Sequence, residues 1–250
     1  MAAFALPHGR TLDLDEAALA RLASLGVLHG TSRLANDAAK VLSLDWPELE
    51  HALPDGGLPR GVIEIASPVV REGDAYGMHG GATTIALSAI RAAHAADAKA
   101  WCAWVTVAGA PSLYAPAVAQ ASVDLDRLLV VRPDAAALAR TVVKVAASGA
   151  FDVVVIDAQH PAGLDGRIPG EGKTSRSRID GSVVVRKLAL ASEEKGTAFL
   201  VLTNVYAPRA VPWPVALRLE VERRPEAIAL RITKDRRGRS ASQRVVRVSA

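Results

Sequence analysis

The chain is poor in the residues that crosslinking, metal binding and membrane insertion use. It has one cysteine, Cys102, which excludes an internal disulfide, and we interpret its thiol as a buried apolar group rather than a nucleophile. Six histidines lie scattered without the spacing of metal ligands, so no metal site is predicted. No apolar run approaches the roughly 18 to 20 residues that cross a bilayer, and the acidic start of the chain is unlike a signal peptide. These absences favour a soluble protein of the reducing cytoplasm with no membrane partner.

Charge is distributed unevenly along the chain. The formal net charge is +4, yet residues 205–250 hold eleven Lys or Arg against four Asp or Glu, so this part carries +7 and the rest −3. Clustered cations release counterions when they bind phosphates, which favours a polyanionic partner for the C-terminal part. A solvated basic surface explains the charge equally well, and both interpretations stay open.

Short continuous apolar runs alternate with segments of helical periodicity, a pattern typical of a parallel sheet covered by helices on both faces. Strands of this sheet are predicted at 62–66, 100–107, 128–131, 153–156 and 199–202. Helices are predicted at 83–96, 115–121, 135–147 and 183–191. Apolar and polar residues alternate at 217–221, 228–232 and 245–248, which predicts antiparallel strands. The predicted fold class is therefore α/β, with a largely parallel central sheet flanked by helices and antiparallel C-terminal strands.

An amphipathic helix is predicted at 12–25, where five leucines recur at helical spacing. We accordingly divide the chain into an N-terminal helical segment at 1–40 and a core domain at 41–250, whose basic C-terminal strands begin at about residue 215. The helix is expected to pack on the core or on a neighbouring molecule, so self-association is one outcome of this prediction.

The stretch GMHGGATTIAL at 77–87 stands between a predicted strand and a predicted helix, where a phosphate-binding loop belongs. Such a loop uses backbone N–H groups, a lysine for the phosphate oxygens and a hydroxyl for magnesium. Here Ala82 stands in the place of the lysine and Tyr76 in that of the first glycine. Hydrolysis is not expected without the lysine, whereas weak nucleotide binding stays open. The candidate nucleotide-binding residues in this stretch are Gly80, Gly81, Thr83 and Thr84.

A further candidate nucleotide-binding residue, Asp157, ends the apolar run FDVVVID at 151–157. An acid at the end of such a strand holds magnesium through water in phosphate-loop proteins. The alternative is that Asp157 caps the next turn. Gln159 and His160 are interpreted as polar loop residues, and no catalytic residue is predicted.

Two groups of cations are candidates for contact with DNA or a protein partner. One group surrounds the Gly-Lys-Thr of GEGKTS at 170–175, which has polar flanks and no preceding strand, so we interpret it as a basic loop rather than a phosphate site. The other group lies in and beside the turn between the last two predicted strands. The alternative for each residue is a solvated side chain. The candidates are Arg167, Lys173, Arg176, Arg178, Lys234, Arg236, Arg237 and Arg239.

Taken in order, these pieces resemble the RecA recombinase family. The similarity covers roughly residues 40 to 250 and implies a RecA-like core in which 163–182 and 205–214 take the places of the DNA-binding loops. The matching runs are LSLD at 42–45, GGLPRGVIEI at 56–65, LYA at 113–115, VDLDRLL at 123–129, RPD at 132–134, SGAFDVVVID at 148–157, RKL at 186–188 and LTN at 202–204.

The departures from the family pattern point to a pseudo-ATPase. The glutamate that is catalytic in the family would follow the strand at 100–107, where this sequence has Ala108, Gly109 and Ala110. Among RecA-like proteins with degenerate nucleotide motifs, the sequence most resembles the ImuA-type accessory proteins of damage-induced mutagenesis. That resemblance implies a role in the SOS response and error-prone translesion synthesis, with an ImuB-like polymerase-related partner and contact with RecA or DNA.

Two other functions remain open from the sequence. One is an active DNA-dependent ATPase or recombinase with a non-standard Walker A motif, which takes its lysine from elsewhere, for example Lys173. The other is a SulA-like inhibitor of cell division. No cofactor is predicted for the first interpretation, whereas ATP with Mg²⁺ belongs to the enzyme alternative.

Overall fold

The computed structural model describes residues 3–5, 11–13, 41–68, 81–111, 113–159, 163–164, 180–206, 213–239 and 243–248. Its contacts divide the chain into two compact units, Met1–Lys40 and Val41–Ala250. In the first unit, β1 (Ala3–Ala5) and β2 (Thr11–Asp13) pair antiparallel. The helix predicted at 12–25 is therefore wrong at residues 12 and 13, because backbone pairing with β1 overrides the apolar periodicity there. The remainder of that prediction lies outside the described residues.

The second unit alternates strands and helices. Its described strands are β3 (Val41–Leu42), β4 (Leu58–Pro59), β5 (Val62–Ser67), β6 (Cys102–Thr106), β7 (Leu128–Val131), β8 (Val153–Asp157), β9 (Ala198–Asn204), β10 (Leu217–Arg224), β11 (Ala227–Asp235) and β12 (Arg244–Arg247). The described α-helices are α1 (Pro47–Ala52), α2 (Ala82–Ala96), α3 (Ala115–Gln120), α4 (Leu138–Ser148) and α5 (Gly181–Lys195), with 3-10 turns at Leu125–Arg127 and Ala135–Ala137.

One eight-stranded sheet forms the centre of this unit, in the order β12-β11-β10-β5-β9-β8-β6-β7. Every neighbouring pair from β10 to β7 is parallel, whereas β10–β11 and β11–β12 are antiparallel. Because β10 pairs in parallel with β5, the antiparallel strands extend the main sheet. The predicted fold class is confirmed.

The sheet separates two cores, because successive side chains of each strand point to opposite faces. On one face, Ile63 and Ile65 of β5 pack in a cluster with residues of α1 and α2. On the other face, Val62 packs in a cluster with residues of α4 and α5. The central strands are buried on both faces, which is why their sequences are continuous apolar runs. Cys102 is 0% exposed, and burial raises the pKa of its thiol to about 12, as expected of an apolar rather than a nucleophilic residue.

Two of the observed helices start two or more residues away from the predicted starts. The helix predicted at 135–147 begins as a 3-10 turn, and α4 starts at Leu138. The start of α5 lies two residues earlier than predicted, because the carboxylate of Asp180 accepts the backbone N–H of Ser182 at 2.7 Å. Within the described ranges, no helix combines the length and apolar character needed to cross a bilayer.

The buried histidine of α2 gives folding a pH dependence. His94 is 6% exposed and neither ring nitrogen has a hydrogen-bond partner, so burial, assisted by the charge of Arg127, lowers its pKa below the ordinary 6.5. The unfolded chain therefore binds this proton more readily than the folded chain does. Stability from this group is complete above about pH 6.5 and is lost as the pH falls from there through the folded-state pKa.

Urea unfolding between about pH 7 and about pH 5 is expected to show a falling free energy of unfolding in the wild type. His94→Leu is expected to flatten that slope, and the exposed His51, changed to Gln, is the control that keeps it. If His94→Leu kept the wild-type dependence of the free energy of unfolding on pH, His94 would not be the group responsible for it.

Candidate nucleotide-binding site

The candidate site is built around the first turn of α2. Gly81 caps this helix with a φ of 85°, in the left-handed region, and Ile85 donates the first helical hydrogen bond to the Gly81 carbonyl at 3.2 Å. A Cβ at residue 81 would lie 3.2 Å from Ile228 Cδ1, so both conformation and space favour glycine. Ile228 stands near the start of β11, which places this turn at the carboxyl edge of the parallel strands. The first backbone N–H groups of α2 lack intrahelical partners and favour an anion.

The side chains of this first turn carry no positive charge. Ala82 is the first residue of α2 and is 0% exposed, packed in the core between α2 and the sheet. Thr83 and Thr84 are half-buried, and Thr84 lines a cleft of about 860 Å³ along α2 together with Ser88 and Arg91. Gly80 lies outside the described residues. The turn thus offers backbone donors and hydroxyls to an oxyanion.

The acid at the end of β8 takes part in a polar link across the sheet edge. Asp157 is half-buried, and its Oδ1 accepts the backbone N–H of Gln159 at 3.2 Å. Gln159 in turn donates its Nε2–H to Ser67 Oγ at 2.7 Å, which joins the ends of β8 and β5 across β9. Asp157 therefore caps the turn after β8, and its role in holding magnesium stays a prediction. Sequence reasoning missed the link, although Gln159 and Ser67 both stand at strand ends.

The end of β6 contributes a hydroxyl and no carboxylate. Thr106 lies opposite Asp157 in the sheet and is 1% exposed, and its Oγ1 has no hydrogen-bond partner. The next turn is held by hydrogen bonds from Ala108 N to Pro133 O and from Ala110 N to Val107 O, at 2.8 and 3.1 Å. No acid stands in this turn to orient a water. Thr106 was not among the candidate site residues predicted from the sequence. A polar residue at the end of an apolar strand is the sequence feature that could have identified it.

Two candidate cations of the C-terminal turn are paired within the protein. Arg237 Nη1 lies 2.9 Å from Asp55 Oδ1, and the Nη1 and Nη2 of Arg239 lie 2.8 and 2.9 Å from the two oxygens of the same carboxylate. The hydrogen bond from Arg239 holds the pKa of Asp55 below its ordinary value. We call this set the Asp55 clasp, because it ties the turn after β11 to the turn after α1.

The other candidate cations are placed as follows. Lys234 Nζ donates to the Trp213 carbonyl at 2.5 Å, and the backbone N–H of Arg236 donates to the Ala216 carbonyl at 2.9 Å. Contact of these residues with DNA or a partner stays a prediction. The candidates of the basic loop, Arg167, Lys173, Arg176 and Arg178, lie outside the described residues.

Breaking the Asp55 clasp is expected to reduce stability modestly, since its groups are part-exposed. Asp55→Asn removes the charge opposite Arg237 and Arg239 and is expected to lower the free energy of unfolding by about 1 kcal/mol. The measurement is urea unfolding at low salt, with the exposed Asp126, changed to Asn, as the control. Equal effects of the two changes would contradict a stabilising clasp.

A glycine-capped helix that begins at the carboxyl edge of a parallel sheet has the placement that phosphate-binding α/β domains use. The sequence profile of the RecA N-terminal domain matches residues 26–207. The chain therefore belongs to the RecA family. It is 34% identical over 181 residues to protein RecA of Acidiphilium cryptum (strain JF-5), a stretch that covers 70% of this chain and 47% of that protein. The chain thus spans about half the length of this relative, and β10 to β12 follow the range matched by the profile.

Proposed function

We propose that the protein is a non-catalytic accessory member of the RecA family that acts in the DNA damage response. In this role it supports error-prone translesion synthesis in the cytoplasm, in the manner of ImuA-type proteins. It works through protein partners, an ImuB-like polymerase-related protein and RecA, with DNA as a further contact. The buried Ala82 at the start of α2 is the observation that carries the proposal.

Catalysis of phosphoryl transfer needs charged groups that the described residues of this site do not supply. Positioning and electrostatic stabilisation supply most of the rate, and loss of a single stabilising group costs roughly 10² to 10³-fold. At the first turn of α2 the alanine methyl contributes no charge to the phosphates. The turn after β6 supplies no carboxylate to orient a water molecule. Two separate departures of this kind support a RecA-type frame retained for binding rather than for hydrolysis.

Phosphate release from Mg-ATP, with and without single-stranded DNA, tests the non-catalytic part. The wild type is expected to release no more phosphate than an Asp157→Ala variant. DNA-stimulated hydrolysis in the wild type that Asp157→Ala abolishes would overturn the non-catalytic assignment.

Damage-induced mutation frequency tests the cellular part. A strain lacking the gene is expected to show a lower frequency after DNA damage, and both the wild type and Asp157→Ala are expected to restore it. An unchanged frequency in the deletion strain would refute a role in translesion synthesis.

A DNA-dependent ATPase is the second candidate, and the left-handed Gly81 cap with the hydroxyl of Thr83 favours it. Calorimetric titration with Mg-ATP separates the two. Binding that Thr83→Ala removes would favour the enzyme, whereas no heat at millimolar nucleotide would favour the adaptor.

A further inference from the structure

The outer surface of α4 and α5 carries an apolar groove. On α5, Leu190 lines the groove and is 56% exposed. Val183, which is 42% exposed, is not part of the groove lining but lies seven residues earlier on the same face of the helix. Val143 and Ala147, one turn apart on α4, line the groove opposite Leu190, and its volume is about 340 Å³. A contiguous apolar surface of this kind, rimmed by polar residues, is typical of an interaction site.

Positive charge flanks this groove. Arg140 and Lys144 are exposed on α4, and Arg186 and Lys187 are exposed on α5. None of the four forms an ion pair within the described part of the chain. The sequence of α4 contains no acid, and the acids of α5 stand in its last turns. One of these acids, Glu194, lines the groove beside Lys195, so the excess of positive charge lies along α4 and the earlier turns of α5.

We propose that the groove between α4 and α5 docks an amphipathic helix of a partner protein, with acidic residues on the flanks of that helix. A third helix laid on two neighbouring helices packs its apolar side chains between theirs, as helix-in-groove complexes do. Its acidic flanks would meet Arg140 and Lys144 on one side and Lys187 on the other. A nucleic acid fits less well, because phosphates would have to lie against Leu190 and Val143. This inference rests on the proposed adaptor function and names the chemistry of its partner.

A synthetic peptide provides the probe. It is a fluorescein-labelled amphipathic helix of about 18 residues, with leucines on one face and glutamates on both flanks. Anisotropy titration with the full chain is expected to give saturable binding, and Leu190→Glu is expected to weaken it at least about tenfold. The control is Val245→Glu on β12, whose parent side chain is 58% exposed and stands elsewhere on the sheet. Equal affinity for wild type and Leu190→Glu would overturn the proposal.

A charge swap tests the flanks separately. The double change Lys144→Glu with Lys187→Glu is expected to weaken binding of the glutamate peptide, and a peptide with lysines in place of the glutamates is expected to regain it. Lys99→Glu, at an exposed position in the turn before β6, is the control that leaves both peptides unaffected. Thermal unfolding verifies that each variant folds. Loss of affinity for single-stranded DNA, with peptide binding unchanged, would assign the surface to nucleic acid and overturn the proposal.

The cellular readout separates this inference from the proposed function. Leu190→Glu is expected to lower damage-induced mutation frequency to the level of the deletion strain. If the frequency depends on the gene but not on Leu190, the groove proposal fails and the adaptor function stands. If the purified protein hydrolyses ATP, the adaptor function fails whatever the groove binds.

Discussion

An Ala82→Lys variant is expected to lose about 2 to 3 kcal/mol of folding free energy and to gain no ATP hydrolysis. The methyl group of Ala82 is 0% exposed within the core between α2 and the sheet, so a lysine there has to displace packed neighbours and carry its ammonium through the core. Restoring the missing residue type is therefore not expected to restore hydrolysis. Urea unfolding and DNA-stimulated phosphate release are the two measurements.

Thr84→Lys is the matched control, since Thr84 is half-buried and lines the cleft along α2. A lysine at this position reaches solvent, and we expect a loss below about 1 kcal/mol. If Ala82→Lys proved as stable as the wild type and hydrolysed ATP, the position would still be open to phosphates. The absence of hydrolysis in the wild type would then be due only to the missing lysine charge.

The strands and helices of the second unit were predictable because the pattern of apolar residues within each short segment identifies it. Runs such as Val153-Val154-Val155-Ile156 are buried on both faces of the sheet. Each central strand can therefore be recognised in the sequence as a short continuous apolar run. The alternating pattern of β10 likewise reports a strand with one face in the core. Element ends were less accurate, since they depend on single caps such as Asp180.

The arrangement of the candidate site was less predictable because its contacts are distant in sequence. Ser67 and Gln159 are 92 residues apart, and no periodicity links them. The Asp55 clasp joins residues that are 182 and 184 positions apart, so the sequence did not predict these ion pairs, and contact of the two arginines with DNA or a partner stays a prediction. The residue type at position 82 was readable from the sequence, whereas its complete burial was not.

A further distant contact joins the antiparallel extension to the central sheet, and breaking it is expected to destabilise the fold. Glu64 is 1% exposed on β5, and its carboxylate accepts the hydroxyl of Thr203 at 2.7 Å and lies 3.5 Å from Arg218 Nη1 on β10. Arg218→Met keeps the length of the side chain but removes the cation beside a buried carboxylate. We expect a loss of about 2 kcal/mol, below the range for fully buried pairs because Arg218 is 23% exposed.

The source of that loss is tested by removing the charge of the acid as well. Glu64→Gln keeps an acceptor for Thr203, so adding it to Arg218→Met is expected to recover at least about half of the lost free energy. Arg231→Met, which breaks a pair with Glu220 at the surface, is expected to cost less than about 1 kcal/mol. A double variant as unstable as Arg218→Met alone would contradict the unpaired charge of Glu64 as the source of the loss.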